Sequence, residues 1–325
     1  MPARAHKIKL KIIADQGAQF FLRWELPYFK REFEIVSKPG PDVVLMTYAP
    51  GRLGDDLDVP ALKRVAFLIP GFDFNPYHNL EQRNETLDLI DKHYDLVFVN
   101  PGPVEKALSP SPKLVSHPFS VDVDRLLRVR KVRTSLDSLL HVSADAPQKD
   151  WERSERIMQL TGLPHEVYPP RHVPETMITW RDRLRWRYNK YVVKTISPTV
   201  AFRRNLGYMS HAATIERYIR YDGFVHIAKE RPHPIRIDGK YTAALLEAGV
   251  TGAIVFWHDT FADGNDFETI FSLPVEPEAA ARKIVEIRSG IAVEAHSRRT
   301  MEEIGDRCHP ANVVRERREA IEAIL

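Results

Sequence analysis

The sequence predicts an α/β fold in which two doubly wound halves face each other across a cleft. Three observations carry this reading. Short runs of branched apolar residues alternate with amphipathic helical segments, and the alternation restarts after a polar, basic stretch near the middle of the chain. The 325 residues also exceed what one small core holds and suit two domains of roughly 130–190 residues each. An apolar fraction of 43% with 28% charged residues is that of an ordinary globular protein.

The first half is read in order. "KIKLKIIA" (Lys7 to Ala14) alternates and then turns apolar, as a strand entering a parallel sheet does. Gln19 to Arg31 reads as a helix, "EFEIVS" as a second strand and "PDVVLMT" as a third. "RVAFLIPG" and "YDLVFVN" supply two more strands, each followed by Pro or Gly. Between them "NLEQRNETLDLIDKHY" places Leu80, Leu87 and Ile90 at helical spacing. "KLVSHPFSVDVDRLL" closes the unit, with Asp124 expected to cap the short element that starts at Arg125. The basic stretch "RVRKVRTSLDS" then reads as a linker.

The second half repeats the plan. "SLLHVSA" reads as a strand, "DWERSERIMQLTG" as a helix and "HEVYPPRHV" as strand and loop. After these come "HAATIERYIRYD" as a helix and "GFVHIA" as a strand, then "GKYTAALLEAGVTGAIVFW" (Gly239 to Trp257) as helix, turn on Gly249 and Gly252, and buried strand. The tail from Glu276 carries two helical patterns, "EAAARKIVEIRS" and "ANVVRERREAIEAIL". The expected domains are 1–130 and 135–325, both Rossmann-like, with the last helix packing back on the first domain and the cleft between them as the default site.

Composition narrows the function. A net charge of +3, from 47 basic and 44 acidic residues, argues against a surface built to grip nucleic acid. The single cysteine, Cys308, rules out an internal disulfide or a cysteine zinc cluster and fits a reducing compartment. No window approaches the roughly 20 apolar residues of a membrane span, and the N-terminus lacks the apolar core of a signal peptide, so a soluble cytoplasmic protein is expected. The window "TWRDRLRWRYNKYVVK" (Thr179 to Lys194) is basic and aromatic. It reads either as a solvated element with inward aromatics or as a surface for peripheral membrane contact or a phosphate-bearing acceptor.

Several chemistries lack their motifs. There is no G-x-G-x-x-G after "KIKLKIIA", no Walker A sequence and no nucleophile-elbow pattern. His233 lies between two prolines without a partner at ligand spacing, and Asp122 with Asp124 makes a thin metal site. No metal and no cofactor are expected. The feature that stands out is Glu247, a carboxylate inside the apolar run "TAALLEAG". It needs a partner: either a bound ligand or an arginine across the core.

The ordered set "VSHPFSVDVDRLL", "HVSADAPQKDW", "LGYMSHAATIERYIRYDGFVHIA" and "GKYTAALLEAGVTGAIVFW" resembles the nucleotide-sugar glycosyltransferases of the two-Rossmann GT-B type, the family 4 or group 1 enzymes. The resemblance covers the second half well and the first loosely. It implies a GT-B-like fold, an N-terminal acceptor domain, a C-terminal donor domain, and sugar transfer from a nucleoside-diphosphate donor to a glycan or lipid-linked acceptor, with surface polysaccharide assembly as the setting.

The resemblance also implies roles for residues. Lys149 would reach the donor diphosphate, where an ammonium gains charge-assisted hydrogen bonds; the other reading is a surface lysine at a helix start. Backbone groups at Tyr208 and Met209 would pair with the base. Gly239 would let the backbone approach the ligand, and amides near Lys240, Tyr241 and Thr242 would point at phosphate. Glu247 would take the ribose hydroxyls.

The chain departs from the family pattern at two places. Ala144 stands where the family has an arginine, and Gly239, with Asp238 beside it, stands where many members have an acidic residue. These departures motivate a non-catalytic nucleotide-binding protein as the alternative; a nicotinamide-dependent dehydrogenase is a third reading. For a general base the candidates are Asp15, Asp73 and His78, on loops after strands of the first half.

Overall fold

The computed structural model describes residues 7–14, 18–49, 53–69, 80–118, 120–143, 149–168, 211–228, 239–258 and 264–325, together with Trp180, Leu184 and Tyr188. The first half contains β1 (Lys9–Ala14), α1 (Gln19–Glu32), β2 (Glu34–Ile35), β3 (Gly40–Tyr48), β4 (Ala61–Leu68), α2 (Leu80–His93), β5 (Leu96–Val99), α3 (Pro103–Leu108), β6 (Leu114–Ser116) and α4 (Val123–Arg128). The second contains β7 (Leu139–Val142), α5 (Trp151–Leu160), β8 (His165–Tyr168), α6 (His211–Arg220), β9 (Gly223–His226), α7 (Ala243–Val250), β10 (Ile254–Trp257), β11 (Ile270–Ser272), α8 (Pro277–Gly290), α9 (Val293–Arg307) and α10 (Pro310–Glu322).

The fold is α/β with two parallel, Rossmann-like sheets, ordered β2-β1-β3-β4-β5-β6 and β11-β10-β9-β7-β8. Each sheet has the same plan: its first strand lies between its second and third. The winding therefore reverses at β1/β3 in one sheet and at β7/β9 in the other, and ligands of such sheets bind beyond the strand ends at those reversals. Residues such as Val44, Leu45 and Met46 in β3 and all of Ile254–Trp257 are buried because helices cover both faces. Each such side chain contributes about 1.5–3 kcal/mol by leaving water.

α10 crosses to the first half. Its Val314 and Ile321 join the core of Leu10, Phe29, Val44 and Phe67, and its Arg317 guanidinium lies 2.7 Å from Glu25 of α1. The basic stretch between the halves is anchored rather than loose. Arg133 is fully buried and donates to the carbonyls of Tyr218 and Tyr221 at the end of α6, at 2.6 and 3.0 Å, where a helix C-terminus favours a cation.

Two local readings change. Asp122, not Asp124, is the N-cap of α4, accepting from the Arg125 amide; Asp124 instead accepts from the Tyr28 hydroxyl at 2.5 Å and lies 3.3 Å from His309 Nε2. Gly249 is not a turn residue: it lies inside α7, where a Cβ would run into Ile304 of α9, so the glycine sets how closely those helices approach. The chain turns only at Gly252, with φ +99°. α2 forms as read: Ile90 is buried and Leu87 packs on the same core, joined by Thr86, while Leu80 is exposed. The pattern also left α3, β11 and α9 unassigned.

Candidate functional site

Strand order places the candidate residues. α7 connects β9 to β10 and α5 connects β7 to β8 in parallel crossovers, so both helices begin at the carboxyl edge of the second sheet. Lys149 bridges Ala228, just past β9, and the next amide, Asp150 N, donates to Ile227 O at 3.0 Å. The lysine thus sits at the β7/β9 reversal, ahead of α5, whose N-cap is Asp150.

The turn before α7 is fastened to the segment before β11. Lys240, only 5% exposed, places Nζ 2.9 Å from Asp266 Oδ2. The Tyr241 hydroxyl donates to Asn265 Oδ1 at 2.9 Å and accepts from the Asp266 amide at 2.8 Å. Thr242 is the N-cap, its hydroxyl accepting from Leu245 N at 3.3 Å. The first helical residues are therefore Ala243 and Ala244, not Lys240 to Thr242, which corrects the expected position of the amides facing a phosphate.

The two halves meet at this turn. A Cβ on Gly102 would lie 2.8 Å from Lys240 Cβ, so only glycine lets the loop after β5 approach so closely; its φ of +115° has the same requirement. Beside this contact is a cavity of about 260 Å³. Pro101, Glu105 and Ser116 line it from the first half, and Tyr241, Asp266 and Arg307 from the second. Its size is just below the roughly 300–1,000 Å³ of small-molecule sites. Arg307 donates to Asp266 O and lies over the Phe267 ring at 4.6 Å.

Glu247, 4% exposed, has partners within the fold, and neither is the arginine that a core pair would supply. His211 Nε2 lies 2.8 Å from its Oε1, and Tyr218 stands near enough for the same carboxylate to act on its hydroxyl. Burial first, and then the Glu247 charge, push the Tyr218 hydroxyl well above its ordinary pKa, so it stays a donor. On its other side His211 Nδ1 is 3.3 Å from Arg125 Nη1.

Of the sequence-derived candidates, Lys149, Gly239, Lys240, Tyr241, Thr242 and Glu247 are placed at the carboxyl edge of the second sheet or on α7 behind it. Asp15, Asp73, His78, Tyr208, Met209 and Asp238 lie outside the described residues, as does Ala144. Sequence reasoning missed Arg125, His211, Tyr218, Asp266 and Arg307 as neighbours of the site. Only the placement of His211 and Tyr218 seven apart, on one face of α6, was a readable signal. Trp180, Leu184 and Tyr188, in the basic aromatic window, are helical and exposed, Trp180 by 69%. Among the described residues no group of three or more His, Cys, Asp or Glu is placed to hold a metal ion, and no helix is long and apolar enough to cross a membrane.

No protein-family model matches the chain, and no curated protein matches it. Solved structures do. HepE of Anabaena in complex with UDP-glucose aligns over 98% of this chain and 100% of its own, with TM-score 0.56 and 11% identity. A glycosyltransferase of Rickettsia africae aligns over 98% of both chains, with TM-score 0.58 and 11% identity. AviGT4, a glycosyltransferase involved in avilamycin A biosynthesis, gives 98% of both, TM-score 0.57 and 11% identity. At this identity the likeness speaks for the fold, and it runs through both halves: this chain has the GT-B fold of those glycosyltransferase structures.

Proposed function

We propose that the protein is a glycosyltransferase that binds a nucleoside-diphosphate sugar at the carboxyl edge of the second sheet and passes the sugar to an acceptor hydroxyl on the first. The observation that carries this is Glu247. A buried carboxylate on α7, held by an imidazole at 2.8 Å, keeps spare lone pairs for two vicinal hydroxyls. Lys149 stands at the strand reversal where a diphosphate would lie, and the amides at Ala243 and Ala244 begin a helix whose dipole favours that anion. Lys240 acts from behind, fixing the turn through Asp266. The structures of HepE with UDP-glucose and with UDP and glucose support the donor class.

Asp15, Asp73 and His78 remain the candidates for the base that takes the acceptor proton, and Tyr208, Met209 and Asp238 for donor contacts. Surface glycan assembly is the proposed setting. The exposed Trp180, Leu184 and Tyr188, within a window rich in Arg and Lys, support peripheral contact with an anionic membrane. Co-sedimentation with phosphatidylglycerol but not phosphatidylcholine vesicles is the expected result.

Titration calorimetry with UDP, GDP and ADP tests the donor site. One of them should bind, and Glu247→Ala should weaken it at least tenfold, about the worth of a charged hydrogen bond. No binding by any of the three would sink the proposal. Gly239, where the family resemblance calls for an acidic side chain, favours one second reading: a nucleotide-binding protein without transferase chemistry. Incubation with UDP-glucose and a panel of acceptor glycans decides between them, since only the enzyme releases UDP in proportion to product.

A further inference from the structure

We infer that His211 is a positioning residue for the Glu247 carboxylate, that Arg125 fixes its tautomer, and that together they hold that carboxylate oriented for the cis-diol of a nucleotide ribose. This rests on the donor site proposed above, and it gives roles to residues to which the family resemblance assigns none.

A guanidinium has donors and no acceptor. With Arg125 Nη1 3.3 Å from His211 Nδ1, that nitrogen accepts, and the ring proton resides on Nε2. Nε2 is the atom 2.8 Å from Glu247 Oε1. The exposed arginine thus dictates that the imidazole donates to the carboxylate. Two turns further along α6, Tyr218 lies near the same carboxylate. A carboxylate has about four lone-pair positions. The fixed imidazole donor leaves positions free and settles the torsions of a long side chain that would otherwise lose rotamer entropy on binding.

Arg125 is itself tied to the junction of the halves. It belongs to α4, whose neighbouring Asp124 accepts from Tyr28 of α1 and faces His309 ahead of α10. α4 therefore reaches both ways, through Asp124 to Tyr28 and His309 and through Arg125 to His211 beside the carboxylate.

The test compares two ligands: whichever of UDP, GDP or ADP binds, and its 2′,3′-dideoxy analogue, measured by calorimetry on the full chain. The native protein should prefer the ribose form, and Glu247→Ala should abolish that preference. His211→Ala should reduce the preference about tenfold while leaving affinity for the dideoxy form unchanged. A merely structural histidine would lower both affinities alike. His211→Gln, whose amide N–H reaches nearly where Nε2–H does, should restore the preference, His211→Asn should not, and Arg125→Met should fall between.

If Glu247→Ala loses the preference while His211→Ala keeps it, the positioning role is wrong and the donor site stands. If Glu247→Ala keeps it, the donor site itself is wrong, and this inference goes with it. Should His211→Ala fail to fold, the Gln and Asn variants make the same decision, and equal preference in both overturns the role.

Discussion

The molecule buries a glutamate in each half, and the two are held in opposite ways. Glu25, on α1, is 1% exposed and closed by three donors: Arg317 at 2.7 Å, the Tyr48 hydroxyl at 2.8 Å and the Ser120 hydroxyl. Its charge is neutralised by a cation that stacks on the Phe67 ring at 4.1 Å. Glu247 meets an imidazole instead, and among the described residues the Arg125 guanidinium reaches it through that ring. The first arrangement completes a core; the second leaves a carboxylate with capacity to bind. Burial alone does not distinguish structure from function here. The identity of the partners does.

The sharpest way to break the contrast is to remove Arg317. Arg317→Ala leaves Glu25 charged and sealed from water, and a loss of about 3–5 kcal/mol in urea unfolding is expected. The paired change Glu25→Gln with Arg317→Met removes both charges and should recover most of that loss. If Arg317→Ala costs under about 1 kcal/mol, the pair is not the clasp that docks α10 on the first half.

A neighbour of that clasp gives it a pH dependence. His117 is driven down to about 4 by burial and, secondarily, by the Arg317 charge. Folded, it stays neutral above that value, and its 3.3 Å approach to Glu316 is then not an ion pair. The unfolded chain takes up the proton near pH 6.5. Stability from this group is therefore complete above about 6.5 and declines as pH falls toward about 4, by about 3 kcal/mol at most. His117→Leu should flatten the stability profile across that window.

Gly249→Ala probes the packing behind the Glu247 carboxylate. Its new methyl meets Ile304, and about 1–3 kcal/mol of overpacking is expected, read as a shift in urea midpoint at unchanged slope.

How much of this was legible in the sequence follows from where the signal lies. β10 was readable because all four of its residues are apolar and buried. α9 was not, because its inward face is Ser297, Thr300, Met301, Ile304 and Gly305. There Ser297 donates to Gly252 O at 2.7 Å and accepts from Arg133 N at 3.0 Å. A helix that buries hydroxyls to cap other segments carries no apolar stripe. β11 and α3 are too short to show a period. Glu247 stood out because a charge in an apolar run requires an explanation, but its partners were invisible: His211 lies 36 residues upstream, and no local spacing links them. The same holds for Lys240, whose Asp266 partner follows an intervening strand.

Glu247→Gln is the finest probe of the comparison, because it keeps the shape and removes only the charge. The amide can still accept from His211 or from Tyr218 through its oxygen, but its NH₂ end has no acceptor role. Stability should fall by only about 1 kcal/mol, well below the cost at Arg317. Nucleotide affinity should fall about tenfold, since a ribose hydroxyl loses a charged acceptor. A stability loss as large as that of Arg317→Ala, with affinity unchanged, would place Glu247 in the same class as Glu25. The two measurements together decide whether the second glutamate is part of the core or part of the site.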